Sequence, residues 1–376
     1  MDQADRVRRR RRPWAQLVNQ GRVGQLRDAG SATRRPKSEP LPLFPSDVRL
    51  GQLNFPVLLM NLPLSLSAQI PNNAYMEDLS PSKREVCLDR AIAQFLSLYK
   101  HIAQHAIVYL LPSTPGFQDQ PYVANLGLVL PHREQDTVII SRFRSTPRVG
   151  EDRIGADFFK LMNFTVERPP ETFEAEPVYF EGEADLKHIQ GNLYIGGHGM
   201  RTSRNALAWA AERFEMDIVP LRITDPYLYH LDCCFLRITE EAVLLCTAVA
   251  DRICLRAIEQ HCEIIDVPLE HARAGITNCL LLPGEVLCDS ALIELGKESH
   301  SYSIEKAKIE RLENICSRFG RTLRVFCMSE FYKSGALLSC LIMHIKELTD
   351  GTRRHYANCR EATERPRTSG LGRKTL

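Results

Sequence analysis

One pattern recurs through residues 51–348: two short apolar strands joined by a turn, then an amphipathic helix, then a third strand. Strand pairs are legible as YVANLGLVL with TVIISRF, ADLKHI with NLYIGG, CFLRI with AVLLCT, and TNCLLL with EVLC. The stretches between them (PHREQD, QGN, TEE and PG) carry polar or turn chemistry. Apolar residues at three-to-four spacing predict helices over 151–162, 204–214, 252–261 and 304–319. Each helix runs into a further strand: FTVERP, DIVPLRI, EIIDVPL and TLRVFCM. A fifth copy closes from the two ends of the chain, with SCLIMHI pairing with PVLLMNL, then a helix over 84–105 and the strand AIVYLL. Five like units whose first and last strands complete one another predict a closed α/β ring.

Composition narrows the setting of that ring. No stretch approaches 18 uncharged apolar residues, so no transmembrane helix is expected. The basic run Arg8–Arg12 has no apolar segment behind it and does not read as a secretory signal. Twelve cysteines over 376 residues, none in a C-x2-C pair, suggest neither a disulfide scaffold nor a zinc site. They fit a reduced, cytoplasmic protein that needs no metal or cofactor. Charge is partitioned: residues 1–50 hold 12 Lys/Arg against 5 Asp/Glu, and 351–376 hold 7 against 2. Of the chain's 48 basic and 46 acidic residues this leaves 29 against 39 in between. Residues 1–50 and 349–376 therefore read as disordered basic extensions around a domain at 51–348. The acidic body suits a cationic small molecule and argues against nucleic acid. GRVGQLRDAG (21–30) lacks the preceding strand and the spacing of a phosphate loop.

Polar residues recur at one place in the units, after the single strand or on entry to the next pair. There stand Asp119 and Asn125, Glu181 and Asp185, His230 and Asp232, and Cys340. Taken singly, each is an ordinary capping or surface residue, and Cys340 a small hydrophobe opening a strand. In a ring, equivalent positions face a common axis. Four carboxylates there form an anionic pocket whose natural guest is a planar guanidinium, because carboxylates pair with it bidentately. A Cys340 thiolate would attack the central carbon, and His230 would protonate the departing amine and then activate water. Asp232, two residues on, shares a face with His230. Since acids discourage a free thiolate, ionisation is expected to await the bound cation or a proton transfer to His230.

These residues also carry a resemblance. IPNNAYM (70–76) resembles an INPWM segment and FQDQPYVANLGLVL (117–130) resembles PDxVFTANAGLVL. SRFRSTPRVGED (141–152) follows an SRF…R-x-GE pattern, YFEGEAD (179–185) follows FEGxGD, and YLYHLDCCF (227–235) follows FYHLDTCF. SEFYKSGALLSCL (329–341) resembles SEFLKAGGxxxCL. Six motifs in this order, over about residues 54–347, resemble the guanidine-modifying (pentein) superfamily of deiminases, dimethylarginine dimethylaminohydrolases, dihydrolases and amidinotransferases. The resemblance implies a five-bladed, pseudo-symmetric ββαβ propeller.

It also implies Cys340, His230 and Glu181 as catalytic residues. Asp119, Asn125, Asp185, Asp232, Asn73, Arg148 and Arg201 are implied as substrate-binding, the two arginines for an amino-acid carboxylate. Asn125, where deiminases carry aspartate, resembles the arginine dihydrolase branch, which converts arginine to ornithine, carbon dioxide and ammonia. A deiminase or dimethylargininase stopping at citrulline, an amidinotransferase, and a non-catalytic amino-acid-binding protein remain as alternatives, with a homo-oligomer compatible with each. The chain departs from the pattern at Gly335-Ala336-Leu337-Leu338, at Glu183-Ala184, at Gln120-Pro121 and after Asn73.

Overall fold

The computed structural model of the chain describes residues 55–347, so the expectations for 1–50 and 349–376 lie outside the described residues. Five three-stranded sheets share one topology: an antiparallel pair whose middle strand also pairs in parallel with the strand after a helix. In chain order, the middle and outer strands of the first are Val57–Asn61 and Ile107–Leu111, and Met343–Lys346 supplies its inner strand. The others are Gly127–Val129, Thr137–Ile140 and Thr165–Glu167; Leu186–Gln190, Leu193–His198 and Asp217–Arg222; Phe235–Arg237, Ala242–Leu245 and Glu263–Asp266; and Leu280–Leu282, Glu285–Asp289 and Thr322–Phe326. The pairing of the two chain ends is as the sequence predicts.

Middle strands are buried along almost their whole length and read as continuous apolar runs (VLLMN, TVII, AVLL), as expected of strands covered on both faces. Outer strands are half exposed, and two of them, Asp217–Arg222 and Glu263–Asp266, carry charge at both ends, which protects an open edge. The helix Leu88–Ile102 buries Ala91, Phe95, Leu98 and Ile102, a stripe at helical spacing. That stripe joins Leu58, Leu280, Leu287 and Leu341 in one apolar cluster, so first and last units share a core.

The helices beginning at Glu151, Arg204 and Arg252 start where the periodicity places them, and two other helices and one strand depart from it for local reasons. Leu88–Ile102 begins four residues later than expected, because Glu330 Oε2 accepts from the Cys87 amide (2.8 Å). Arg84, meanwhile, donates to the carbonyls of Ala68 and Gln69. His300–Arg318 begins four residues earlier than expected, because the Ser299 hydroxyl accepts from the Tyr302 amide and caps the helix. Ser339–Leu341, expected as strand, is a 3₁₀ turn. The Ser339 amide donates to Asn278 Oδ1 (2.8 Å) and its hydroxyl to Asp232 Oδ2 (2.9 Å), so side chains take the groups a strand would have paired.

Similar 3₁₀ turns precede three other inner strands: Val123–Asn125, Gly182–Ala184 and Leu231–Cys233. The turn at Val123–Asn125 packs against those at Gly182–Ala184 and Ser339–Leu341. Gly182 makes that approach possible. Its φ is +62°, and a Cβ there would lie 2.7 Å from the Gly127 amide nitrogen and 2.8 Å from the Ala124 carbonyl oxygen. Among the described residues, no helix is long and apolar enough to cross a membrane.

Candidate active site

The turns bring polar residues of separate units to a cavity of about 30 Å³, lined by Asn73, Asp119, Asn125, Arg148, Glu181, Arg201, His230 and Cys340, with Asn72, Tyr122, Tyr229, Ser334 and Ala336. Eight of the ten residues singled out in the sequence thus share one wall. Asp185 and Asp232 stand behind it.

Glu181 is fully buried, and neither carboxylate oxygen has a hydrogen-bond partner. Its neighbours are cationic or can become so: His230 Nε2 at 3.4 Å and Arg201 Nη1 at 3.7 Å. Asp185 sits on the far side of the imidazole. His230 Nδ1 lies 3.1 Å from Asp185 Oδ2, without the alignment of a hydrogen bond. Asp185 is itself held by the Thr202 hydroxyl (2.6 Å) and the Leu231 amide (3.0 Å), so it orients the ring. Burial alone would lower the His230 pKa, but Asp185 and then Glu181 outweigh it and raise it above the usual value. The Asn125 amide is 3.1 Å from Nε2.

Cys340 is buried, and burial pushes its thiol up to about 12, with Asp232 adding to the rise. It is therefore a neutral thiol near pH 7. Its sulfur stands 4.0 Å from Asp232 Oδ2, and the Asn278 amide nitrogen donates to it at 3.6 Å. Asp232 also lines a second, larger cavity of about 450 Å³ between the inner strands, one that does not reach Cys340. It thus forms a partition and does not face the small cavity.

Asp119 is buried, which raises its pKa against the pull of Arg148. Its Oδ2 accepts from Asn72 Nδ2 at 2.5 Å. Arg201 donates to the Asn72 carbonyl, so one arginine and one carboxylate hold Asn72 across the cavity. Arg148 is committed to Glu151 through Nε (3.2 Å) and Nη2 (2.7 Å) and to the Tyr122 carbonyl, over the ring of Phe143. Burial pushes Glu151 up to about 7 despite this pairing. Asn73 caps the helix Ala74–Asp78, accepting from the Met76 amide, and donates to the Ser334 carbonyl and to Asn72. Its side chain is spent on shaping the wall.

The bulk at Ala336–Leu338 falls mostly outside the cavity. Leu338 is in the core, Leu337 lies against Gly275, and Ala336 alone lines the pocket. Gly335 has φ +77°, and a Cβ there would sit 3.0 Å from Asn73 Oδ1. Asn278 is the participant the sequence reading missed. It occupies the entry to the fifth strand pair, the slot where the other units carry their functional residues.

The chain matches the family described as N,N dimethylarginine dimethylhydrolase, eukaryotic, over residues 64–323. The chain belongs to that family. It is also similar to the bifunctional arginine dihydrolase/ornithine cyclodeaminase AgrE of Nostoc sp., at 27% identity over 69% of this chain and 34% of AgrE. A second bifunctional enzyme of that description, ArgZ of Synechocystis sp., is 31% identical over 46% of this chain and 23% of ArgZ. The chain thus spans about a third or less of these relatives. In structure it resembles the N-terminal domain of ArgZ, a cysteine-to-serine mutant bound to substrate. There the TM-score is 0.66 at 25% identity, covering 78% of this chain and 98% of that one. A dimethylarginine dimethylaminohydrolase structure shares the fold at a TM-score of 0.58 and 18% identity.

Proposed function

We propose that this chain is a cysteine-dependent guanidine hydrolase acting on arginine. The observation that carries the reading is Glu181: a buried carboxylate with neither oxygen hydrogen-bonded, beside His230, on the cavity that Cys340 lines. A buried charge without hydrogen bonds is costly, and a guanidinium is the ligand that satisfies it bidentately. Five sheets of one topology, closed by the chain ends, support a five-bladed propeller domain at about residues 51–348. Free thiols at Cys234, Cys246 and Cys288 support a reducing, cytoplasmic setting.

In this reading Glu181 and Asp119 grip the guanidinium, displacing Asn72 from Asp119. The cavity holds only water-sized occupants, so entry of an amino acid moves Asn72 with its loop. Arg201, freed from the Asn72 carbonyl, is then available to the substrate carboxylate; Arg148 braces the wall. The arriving cation lowers the Cys340 pKa, and the thiol proton passes to His230 Nε2. The thiolate adds to the guanidinium carbon, and His230 returns the proton as ammonia leaves. His230 then takes a proton from water, whose attack releases citrulline and restores the thiol. A second round on the ureido carbon gives ornithine, carbon dioxide and a second ammonia; Asn125, a neutral amide, suits that neutral intermediate. The family match favours one variant reading, in which a methylated arginine enters and the first leaving group is a methylamine.

The direct test is covalent trapping. A haloacetamidine should label Cys340 stoichiometrically, arginine should protect against it, and Cys340→Ser should retain arginine binding without labelling. Labelling spread over other cysteines and indifferent to arginine would reject the assignment of the nucleophile.

A further inference from the structure

Away from the cavity, three side chains converge at the join between the first and fifth units. His101 lies in the last turn of the helix Leu88–Ile102, His105 one turn beyond, and Glu285 opens the strand Glu285–Asp289. His101 Nε2 is 2.7 Å and His105 Nε2 3.6 Å from the same oxygen, Glu285 Oε2. The three donor atoms lie within 4.8 Å of one another. We propose that His101, His105 and Glu285 form a divalent transition-metal site, suited to zinc over calcium and magnesium, that clamps the first unit to the fifth.

With metal–nitrogen and metal–oxygen bonds of roughly 2.0–2.2 Å, a tetrahedral ion sets its ligand atoms roughly 3.3 Å apart. The two His–Glu separations fall on either side of that value, so the ion needs only small side-chain rotations. Histidines four apart on a helical path project from one face, which is why both reach one carboxylate. The surroundings are built to hold these groups. Arg324 Nε donates to the other oxygen of Glu285 at 3.0 Å, leaving Oε2 to the histidines. The edge of Phe326 meets the His101 ring, with centroids 5.5 Å apart. His105 is 3% exposed, while the His101 side chain, at 22%, faces a route from solvent. Two imidazoles and one carboxylate suit zinc; calcium and magnesium ask for oxygen donors alone. A fourth position remains for water.

The site would act where the ring is closed by strands from opposite ends of the chain, so its expected effect is on stability. Zinc titration of the metal-stripped Cys340→Ser protein, which removes the cavity thiol as a competing ligand, should show one site per chain. Its occupancy should raise the thermal midpoint, while calcium and magnesium should do neither. His101→Gln and Glu285→Gln should each weaken zinc binding by about 100-fold or more. His101→Gln changes the most exposed ligand and keeps the fold available for measurement. Zinc binding that disappears with Cys340→Ser, or that survives both substitutions unchanged, overturns the proposal, as does the absence of binding at micromolar zinc.

Discussion

A thiol held near 12 beside a carboxylate is a poor nucleophile until a cation arrives, and Cys340 is in that position. Ionisation is thereby tied to substrate, and the groups touching the sulfur set how tightly. Asn278 donates the amide hydrogen bond at 3.6 Å. Its removal should raise the thiol pKa further and slow alkylation of Cys340 by iodoacetamide about tenfold at fixed pH, the worth of one hydrogen bond to an anion. An unchanged pH–rate profile for Asn278→Ala would remove it from the site. Asn125 makes a second residue-level prediction. Asn125→Asp places a carboxylate against His230 Nε2, so product analysis should find citrulline accumulating in place of ornithine. An unchanged ornithine yield would refute the role given to the amide. Asp119, Asn125, Glu181, His230 and Cys340 were legible because polar residues recur at equivalent points of a repeat, whereas Asn73, Arg148 and Arg201 were legible only through the motif resemblance. Their partners were not: nothing in the spacing shows that Asp185 stands behind His230 and off the small cavity, or that Asn73 caps a helix.

The 3₁₀ turns are the elements that convert a repeat into a site. Each of the four ends one residue short of an inner strand and carries, or directly follows, a residue that lines the small cavity: Asn125, Glu181, His230 and Cys340. Gly182 is the most demanding position, since a Cβ there meets the backbone of Gly127 and Ala124, where nothing flexible can yield. Gly182→Ala should cost about 3 kcal/mol, from the positive φ and the close contact together, and should lower the urea midpoint accordingly. A midpoint within error of the parent would show that the turns can separate without loss. Element order was readable because middle strands, buried on both faces, are unbroken apolar runs, and helix stripes such as Ala91–Phe95–Leu98–Ile102 keep their period. The helix starts at Glu151, Arg204 and Arg252 were readable too; two others were not, because Ser299 sets one through a hydroxyl cap and Glu330 sets another from 243 residues away. Cys340 read as strand because apolar character does not reveal that Asn278 and Asp232 claim the groups of Ser339.

Across the whole molecule, units far apart in sequence are tied by buried ion pairs, and Glu183 is the clearest. Glu183 Oε1 meets His344 Nδ1 at 2.6 Å and Lys187 Nζ at 3.3 Å, linking the third sheet to the inner strand of the first. Burial alone would raise the Glu183 pKa; His344 and then Lys187 outweigh it and bring it from 4.5 down to about 2. This stability is present above the ordinary value and is lost as pH falls from 4.5 to 2, on the order of 3 kcal/mol. His344, raised above 6.5, contributes below that value and loses its contribution as pH rises through its folded pKa. The pair is therefore strongest between 4.5 and 6.5. Urea unfolding should show Glu183→Gln losing most stability inside that window and least below it, whereas a uniform loss at all pH values would mean a packing effect.

Product analysis decides whether the turns and their cavity amount to an arginine-consuming enzyme. Purified protein should be incubated with uniformly ¹⁵N-labelled arginine, and its products counted by mass spectrometry. One ornithine and two ammonia are expected per arginine consumed, with none formed by Cys340→Ser. Arginine left intact by the parent protein, or ornithine formed equally well by Cys340→Ser, would contradict it.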